Sequence, residues 1–112
     1  MTAAGRRRNK RWWRLIMDTP SVTRAVAIKH AHGLHARPAE MFARTALKFT
    51  SQIEVCANRE RADGKSILHL LTLGATDGTE LVIEATGPDA EQAVDALVKL
   101  VETGFSEIRV EE

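Results

Sequence analysis

The stretch His32-Gly33-Leu34-His35-Ala36-Arg37-Pro38-Ala39 decides the reading of this chain. A β-like run, Thr23 to Lys29, precedes it and a helical pattern, Ala39 to Phe49, follows it, so the stretch is a strand-to-helix junction. Pro38 suits the first turn of a helix, because the N–H it lacks would have had no intrahelical partner. A helix that starts at Ala36 makes His35 its N-cap. The unpaired N–H groups of Ala36 and Arg37 and the positive end of the helix dipole then surround the imidazole, an arrangement that attracts phosphate. Imidazole is a nucleophile at neutral pH, and Arg37 adds a guanidinium fork that matches phosphoryl oxygens. Nucleophile, anion site and cation fall within three consecutive residues, and the chemistry this favours is transient phosphorylation of His35. Two other readings compete: a plain capping histidine, and a metal site built from His30, His32 and His35. The His-x-Arg-Pro grouping after Gly33 weighs against the first. The lack of a neighbouring Cys or carboxylate to complete a tetrahedral set weighs against the second. Neither a metal nor a cofactor is expected.

Composition narrows the class. At 112 residues the chain has the length of one domain. Its 44% apolar and 28% charged residues are ordinary for a soluble globular protein. A single cysteine, Cys56, excludes an internal disulfide and is expected to be a small buried hydrophobe. No run approaches the roughly 18 apolar residues of a membrane helix, and the default compartment is the cytoplasm. The net charge of +1 hides an asymmetry. Arg6, Arg7, Arg8, Lys10, Arg11 and Arg14 precede the first acid, Asp18, whereas residues 15 to 112 carry 10 cations against 15 acids, a net of −5.

Residues 1–20 therefore read as a basic leader and 21–112 as the folded domain. Trp12 and Trp13 interleave the basic run, a composition that could touch nucleic acid or an anionic membrane. Against this stand a disordered tail and a start of translation at Met17; the leader lacks the apolar core of a secretory signal. The expectation is that neither nucleic acid nor membrane is a partner.

Within the domain, Val26 and Ile28 mark the inner face of the first strand. Ala39, Phe42, Ala46 and Phe49 form the stripe of the first helix. Ser51 to Cys56 is a strand with Ile53 and Val55 inward, and Asn58-Arg59-Glu60 turns into a weak strand, Arg59 to Asp63. Ser66 is a good N-cap for the apolar segment Ile67 to Leu73, which Gly74 stops. Leu70 and Leu73 suit the core at i and i+3. Ile67, Leu68 and Leu71 are then left as an exposed apolar patch, the usual mark of a binding surface, with a fully buried short helix as the alternative. Glu80 to Ala85 alternates clearly, with Leu81, Ile83 and Ala85 on one face. Gly87-Pro88-Asp89 opens a helix with proline at its first position, its stripe is Val94, Leu97, Val98 and Val101, and Gly104 ends it. Glu107 to Glu112 is expected to fray. The order β-α-β-β-α-β-α, with one wet sheet face, makes an α+β fold: a four-stranded antiparallel sheet with three helices on one face.

Three blocks at their present spacing, Gly33 to Ala39, Gly64-Lys65-Ser66-Ile67, and Leu71-Thr72-Leu73-Gly74 followed by Gly78-Thr79, resemble the HPr family. These are the small histidine phosphocarriers of the bacterial phosphoenolpyruvate-dependent phosphotransferase system, and the likeness runs from about Thr23 to about Ser106. It implies an open-faced β-sandwich, and a monomer that relays phosphate without turning over small molecules. It implies that His35 takes a phosphoryl group at Nδ1 from phosphorylated enzyme I and passes it to an enzyme II A-type protein, in service of sugar transport. Arg37 matches the arginine that accompanies the phosphohistidine. Ser66 matches a regulatory serine, phosphorylated in some bacteria by an HPr serine kinase/phosphorylase. Ile67, Leu68 and Leu71 match the docking patch. The chain departs from the family pattern at His32, Arg59 and His69 and in its leader. The Glu84 to Pro88 run and the Thr103-Gly104-Phe105 ending also resemble the nitrogen-related branch, which relays phosphate for regulation. A regulatory module acting through Ser66 is the alternative reading.

Overall fold

The computed structural model describes residues 20–105. Seven elements follow one another: β1 (Ser21–Ala27), α1 (Ala36–Ala46), β2 (Gln52–Ala57), β3 (Glu60–Asp63), α2 (Ile67–Leu71), β4 (Glu80–Thr86) and α3 (Ala90–Glu102). The strands form one antiparallel sheet in the order β1-β4-β2-β3. The two central strands are the most regularly alternating ones. Ile53 and Val55 of β2 and Leu81, Ile83 and Ala85 of β4 are all within 1% of complete burial, whereas Glu54 and Glu84 point from the same strands to the wet face, opposite each other in register. One face therefore carries the helices and the other remains open, as the α+β reading requires.

The helices close the covered face with the expected residues. Ala39, Phe42 and Ala46 of α1 are fully buried, as are Leu70 of α2 and Val94, Leu97 and Val101 of α3. Phe49 falls beyond the end of α1, in the turn, and packs against the core only in part. Val98 is likewise only partly buried, and Ala90, Ala93 and Leu100 complete the inner face of α3. The β2–β3 hairpin closes without a glycine: Asn58 and Arg59 both take positive φ, 52° and 68°, between the paired residues Ala57 and Glu60, as a two-residue type I′ turn demands. Asn58 offsets the strain, because its Nδ2 donates to the carbonyls of Leu73 (2.9 Å) and Gly74 (3.2 Å).

Two expectations are corrected. Cys56 is half-exposed on the open face and is not a core residue. Strand parity explains this, since Ile53, Val55 and Ala57 point inward and the residues between them cannot. Pro88 is not the first residue of α3, which begins at Ala90 with Asp89 as its N-cap. Nor does Asp89 cap its own helix with its side chain. Its carboxylate accepts instead from the backbone N–H groups of Thr50 and Ser51, each at 2.9 Å, and from the Ser51 hydroxyl. The Ser51 hydroxyl and the Thr50 N–H hold its pKa down to about 2.

A depressed carboxylate stabilises the fold fully above its unfolded value, and that contribution is lost as pH falls through the folded value. Thermal melts between pH 5 and 2 should show stability falling through the lower part of that window, and D89N should be destabilised at pH 5 with a flatter acid limb. Equal acid sensitivity in both proteins would remove Asp89 from this role. Residues 1–19 of the expected leader (1–20), and the ending expected to fray (107–112), lie outside the described residues.

Candidate functional site

The loop between β1 and α1 is zipped to the loop before β4. Ile28 N–H donates to Thr79 O (2.9 Å), Gly78 N–H to Ile28 O (2.9 Å) and Leu34 N–H to Ala75 O (3.0 Å). Gly33 makes the fit possible. Its φ is +69°, and a Cβ there would lie 2.5 Å from the Ala75 carbonyl oxygen and 2.6 Å from Thr76 Cα. Leu34 is buried, anchoring the turn, and the next side chain, His35, is exposed.

His35 is the N-cap of α1, with extended backbone (φ −103°, ψ −161°), and its carbonyl accepts from Ala39 N–H at 2.9 Å. Its imidazole makes no capping hydrogen bond, and the first turn carries no acid. The ring stands at a helix N-terminus whose positive field no acid in the first turn offsets. An anion attached to it would meet a favourable potential and open solvent.

Arg37 is exposed and lies along α1, 3.8 Å from Glu40, which also holds Arg44 at 3.1 Å. Among the described residues no hydrogen bond joins it to the His35 ring. The Glu40 pairing is a weak surface contact, so it costs little to release the guanidinium toward an anion at His35.

Ser66 is the N-cap of α2 and its Oγ accepts from His69 N–H at 3.2 Å. Leu70 is fully buried and Leu73 nearly so, while Ile67, Leu68 and Leu71 are 40%, 77% and 38% exposed. The apolar patch is therefore real, and the fully buried alternative fails. It sits on the helix that packs against α1, the helix opened by His35. Leu47, the C-cap residue of α1, adds a further exposed apolar side chain that sequence reading passed over because it lies outside the buried stripe. His69 serves the fold, since its Nδ1 accepts from Asp63 N–H at 3.1 Å and ties β3 to α2. Two grooves of the described surface are lined elsewhere, one by Gln52, Glu54, Arg61 and Glu84 on the open face and one by Met41, Arg44 and Leu100 beside α1. Arg37 lines the second of them, and neither includes His35, which is exposed. No helix of the described residues is long and apolar enough to cross a membrane.

Comparison with known proteins places these features together. Residues 22–103 match the sequence model of the family PTS-HPr, described as the PTS HPr component phosphorylation site. The phosphocarrier protein HPr of Haemophilus influenzae is 45% identical over 78 residues, which are 70% of this chain and 92% of that protein. A multiphosphoryl transfer protein of the same organism is 37% identical over 98 residues, covering 81% of this chain and only 20% of that much longer protein. Among solved structures, HPr-C-His from Thermoanaerobacter tengcongensis superposes with a TM-score of 0.73 at 42% identity, over 77% of this chain and 97% of that one.

Proposed function

The chain belongs to the HPr family of phosphocarriers of the phosphotransferase system, and on that premise we propose that His35 is the residue that carries the phosphoryl group. The observation that supports this most is the His35 ring itself, exposed at the N-cap of α1 and without a capping bond. A relay must present one imidazole first to a donor and then to an acceptor, and a deep pocket would exclude both.

Phosphorylated enzyme I is the donor in this reading and an enzyme II A-type protein the acceptor, both in the cytoplasm. The His35 Nδ1 lone pair attacks phosphorus as the donor's P–N bond breaks, and the electron pair of that bond stays on the donor nitrogen. The same exchange then runs from His35 to the acceptor. The chain acts as a monomeric relay without cofactor, metal, nucleic acid or membrane. Arg37 moves from Glu40 toward the phosphoryl oxygens. R37A should accept phosphate about tenfold more slowly than wild type, the scale of one lost charge-assisted hydrogen bond, with unchanged thermal stability. An unaltered rate would remove Arg37 from the mechanism.

Ile67, Leu68 and Leu71 form the docking surface, a small apolar patch of the kind transient partners use. Ser66 caps the helix that carries it, which supports regulation by a serine kinase/phosphorylase. Phosphate there adds about −1.5 to −2 charges beside the patch. Aspartate is as good an N-cap as serine, so S66D should keep the fold while weakening saturation by enzyme I several-fold in a transfer assay. Wild-type concentration dependence would count against regulation through Ser66. The site's geometry suits the nitrogen-related branch equally well, because the two differ in acceptor and not in the chemistry at His35.

A further inference from the structure

Three imidazoles gather at the site. The His35 ring lies 5.4 Å from that of His32 and 5.5 Å from that of His30, and the last two are 6.0 Å apart. His30 is half-buried, edge-on to Phe105 at 6.0 Å. Phe105 is held there by a close approach: at Gly104 (φ +69°) a Cβ would lie 2.6 Å from the Lys29 carbonyl oxygen. The backbone N–H of His32 donates to His30 Nδ1 at 3.2 Å. That bond makes Nδ1 an acceptor, so a neutral His30 carries its proton on Nε2 and keeps one N–H donor to offer. His32 is exposed, its ring perpendicular to that of His35.

Among the described residues, no side chain or carbonyl accepts a hydrogen bond from these rings. Among the described residues, none of the three imidazoles pairs with a carboxylate, and no group of three ligating side chains is placed to hold a metal. Rings spaced at 5.4–6.0 Å leave room for an oxyanion to bridge them, given N–H···O bonds of about 2.7–3.2 Å.

We propose that His30 and His32 are phosphoryl-binding residues of this chain, donating ring N–H bonds to the oxygens of a phosphoryl group on His35. The inference rests on His35 being the phosphorylated residue.

The test is NMR of the imidazole ring N–H groups on the full chain, before and after phosphorylation by enzyme I and phosphoenolpyruvate. The ring N–H groups of His30 and His32 should be protected from exchange with water in the phosphorylated protein and not in the unphosphorylated one. A second measurement is the equilibrium level of phosphoprotein against the phosphorylated donor. H30A/H32A should lie about tenfold toward the unphosphorylated form, and H32A, which alters only an exposed side chain, about threefold. Phosphate on His35 with unchanged ring N–H exchange and a wild-type equilibrium in both variants would overturn the proposal and leave the phosphocarrier reading intact. Absence of phosphate from His35, with the donor shown to be active, would overturn both.

Discussion

H35A is expected to lose phosphate acceptance entirely while keeping its fold. The loss follows from chemistry, since alanine has no lone pair to attack phosphorus. His30, His32 and His69 are the other imidazoles of the chain, but only His35 stands at the N-terminus of a helix of three turns. The retained fold follows from structure. The His35 side chain is exposed and makes no capping bond, and its structural contribution is the backbone carbonyl bonded to Ala39 N–H. Exposed substitutions of this kind change stability by within about 0.5 kcal/mol. Acid-labile labelling from phosphoenolpyruvate should fall to background, and the urea midpoint should match wild type. Normal labelling would sink the assignment of His35. A large fall in stability would show that the ring supports the fold in a way the geometry does not reveal.

G33A should be the most damaging small substitution near the site. A left-handed conformation costs an L-residue about 1–2 kcal/mol. The added methyl would also meet the Ala75 carbonyl oxygen at 2.5 Å and Thr76 Cα at 2.6 Å, both backbone atoms. Backbone cannot swing aside as the end of a long side chain can, and overpacking of this kind costs about 1–3 kcal/mol more. The two together come to about 2–5 kcal/mol, a large share of a small domain's typical stability of about 5–15 kcal/mol. Any relief must pull the loop ahead of α1 away from residues 75–79, which moves His35. The urea midpoint should drop accordingly, and transfer measured on the folded fraction should slow, because displacements near 1 Å can cost about 100-fold. A wild-type midpoint would mean that the two loops are not locked as described.

Much of this architecture was readable in the residues. Leu81, Ile83 and Ala85 alternate with polar neighbours, and β4 is where they said it would be. Pro38 and Gly33 bracket His35 closely enough to mark a helix start, and His35 is the N-cap. Ser66 caps α2 as its residue type suggested, and Leu70 and Leu73 turned inward while Ile67, Leu68 and Leu71 did not.

What escaped sequence reading was set by contacts between distant segments. Asp89 looks like an acid for its own helix, yet it clasps residues 50 and 51, nearly forty positions away. Pro88 and Asp89 are both helix-opening residues, and local pattern could not say which one stands at the cap. Cys56 looked apolar enough to bury, and only the parity of β2 decides otherwise. His30, beside His35, packs edge-on to Phe105, a residue far along the chain that no local pattern links to it. His69, a departure from the family pattern, has a plain use in accepting the Asp63 N–H.

The central claim is that His35 is the phosphoryl carrier, and its most direct test is to locate the phosphate. The full chain is incubated with phosphoenolpyruvate and a bacterial enzyme I of demonstrated activity, and the acid-labile phosphate is mapped by mass spectrometry. A single phosphoryl group on the peptide containing His35, absent in H35A, is the predicted result. A phosphate on His30, His32 or His69, or none at all, would contradict it.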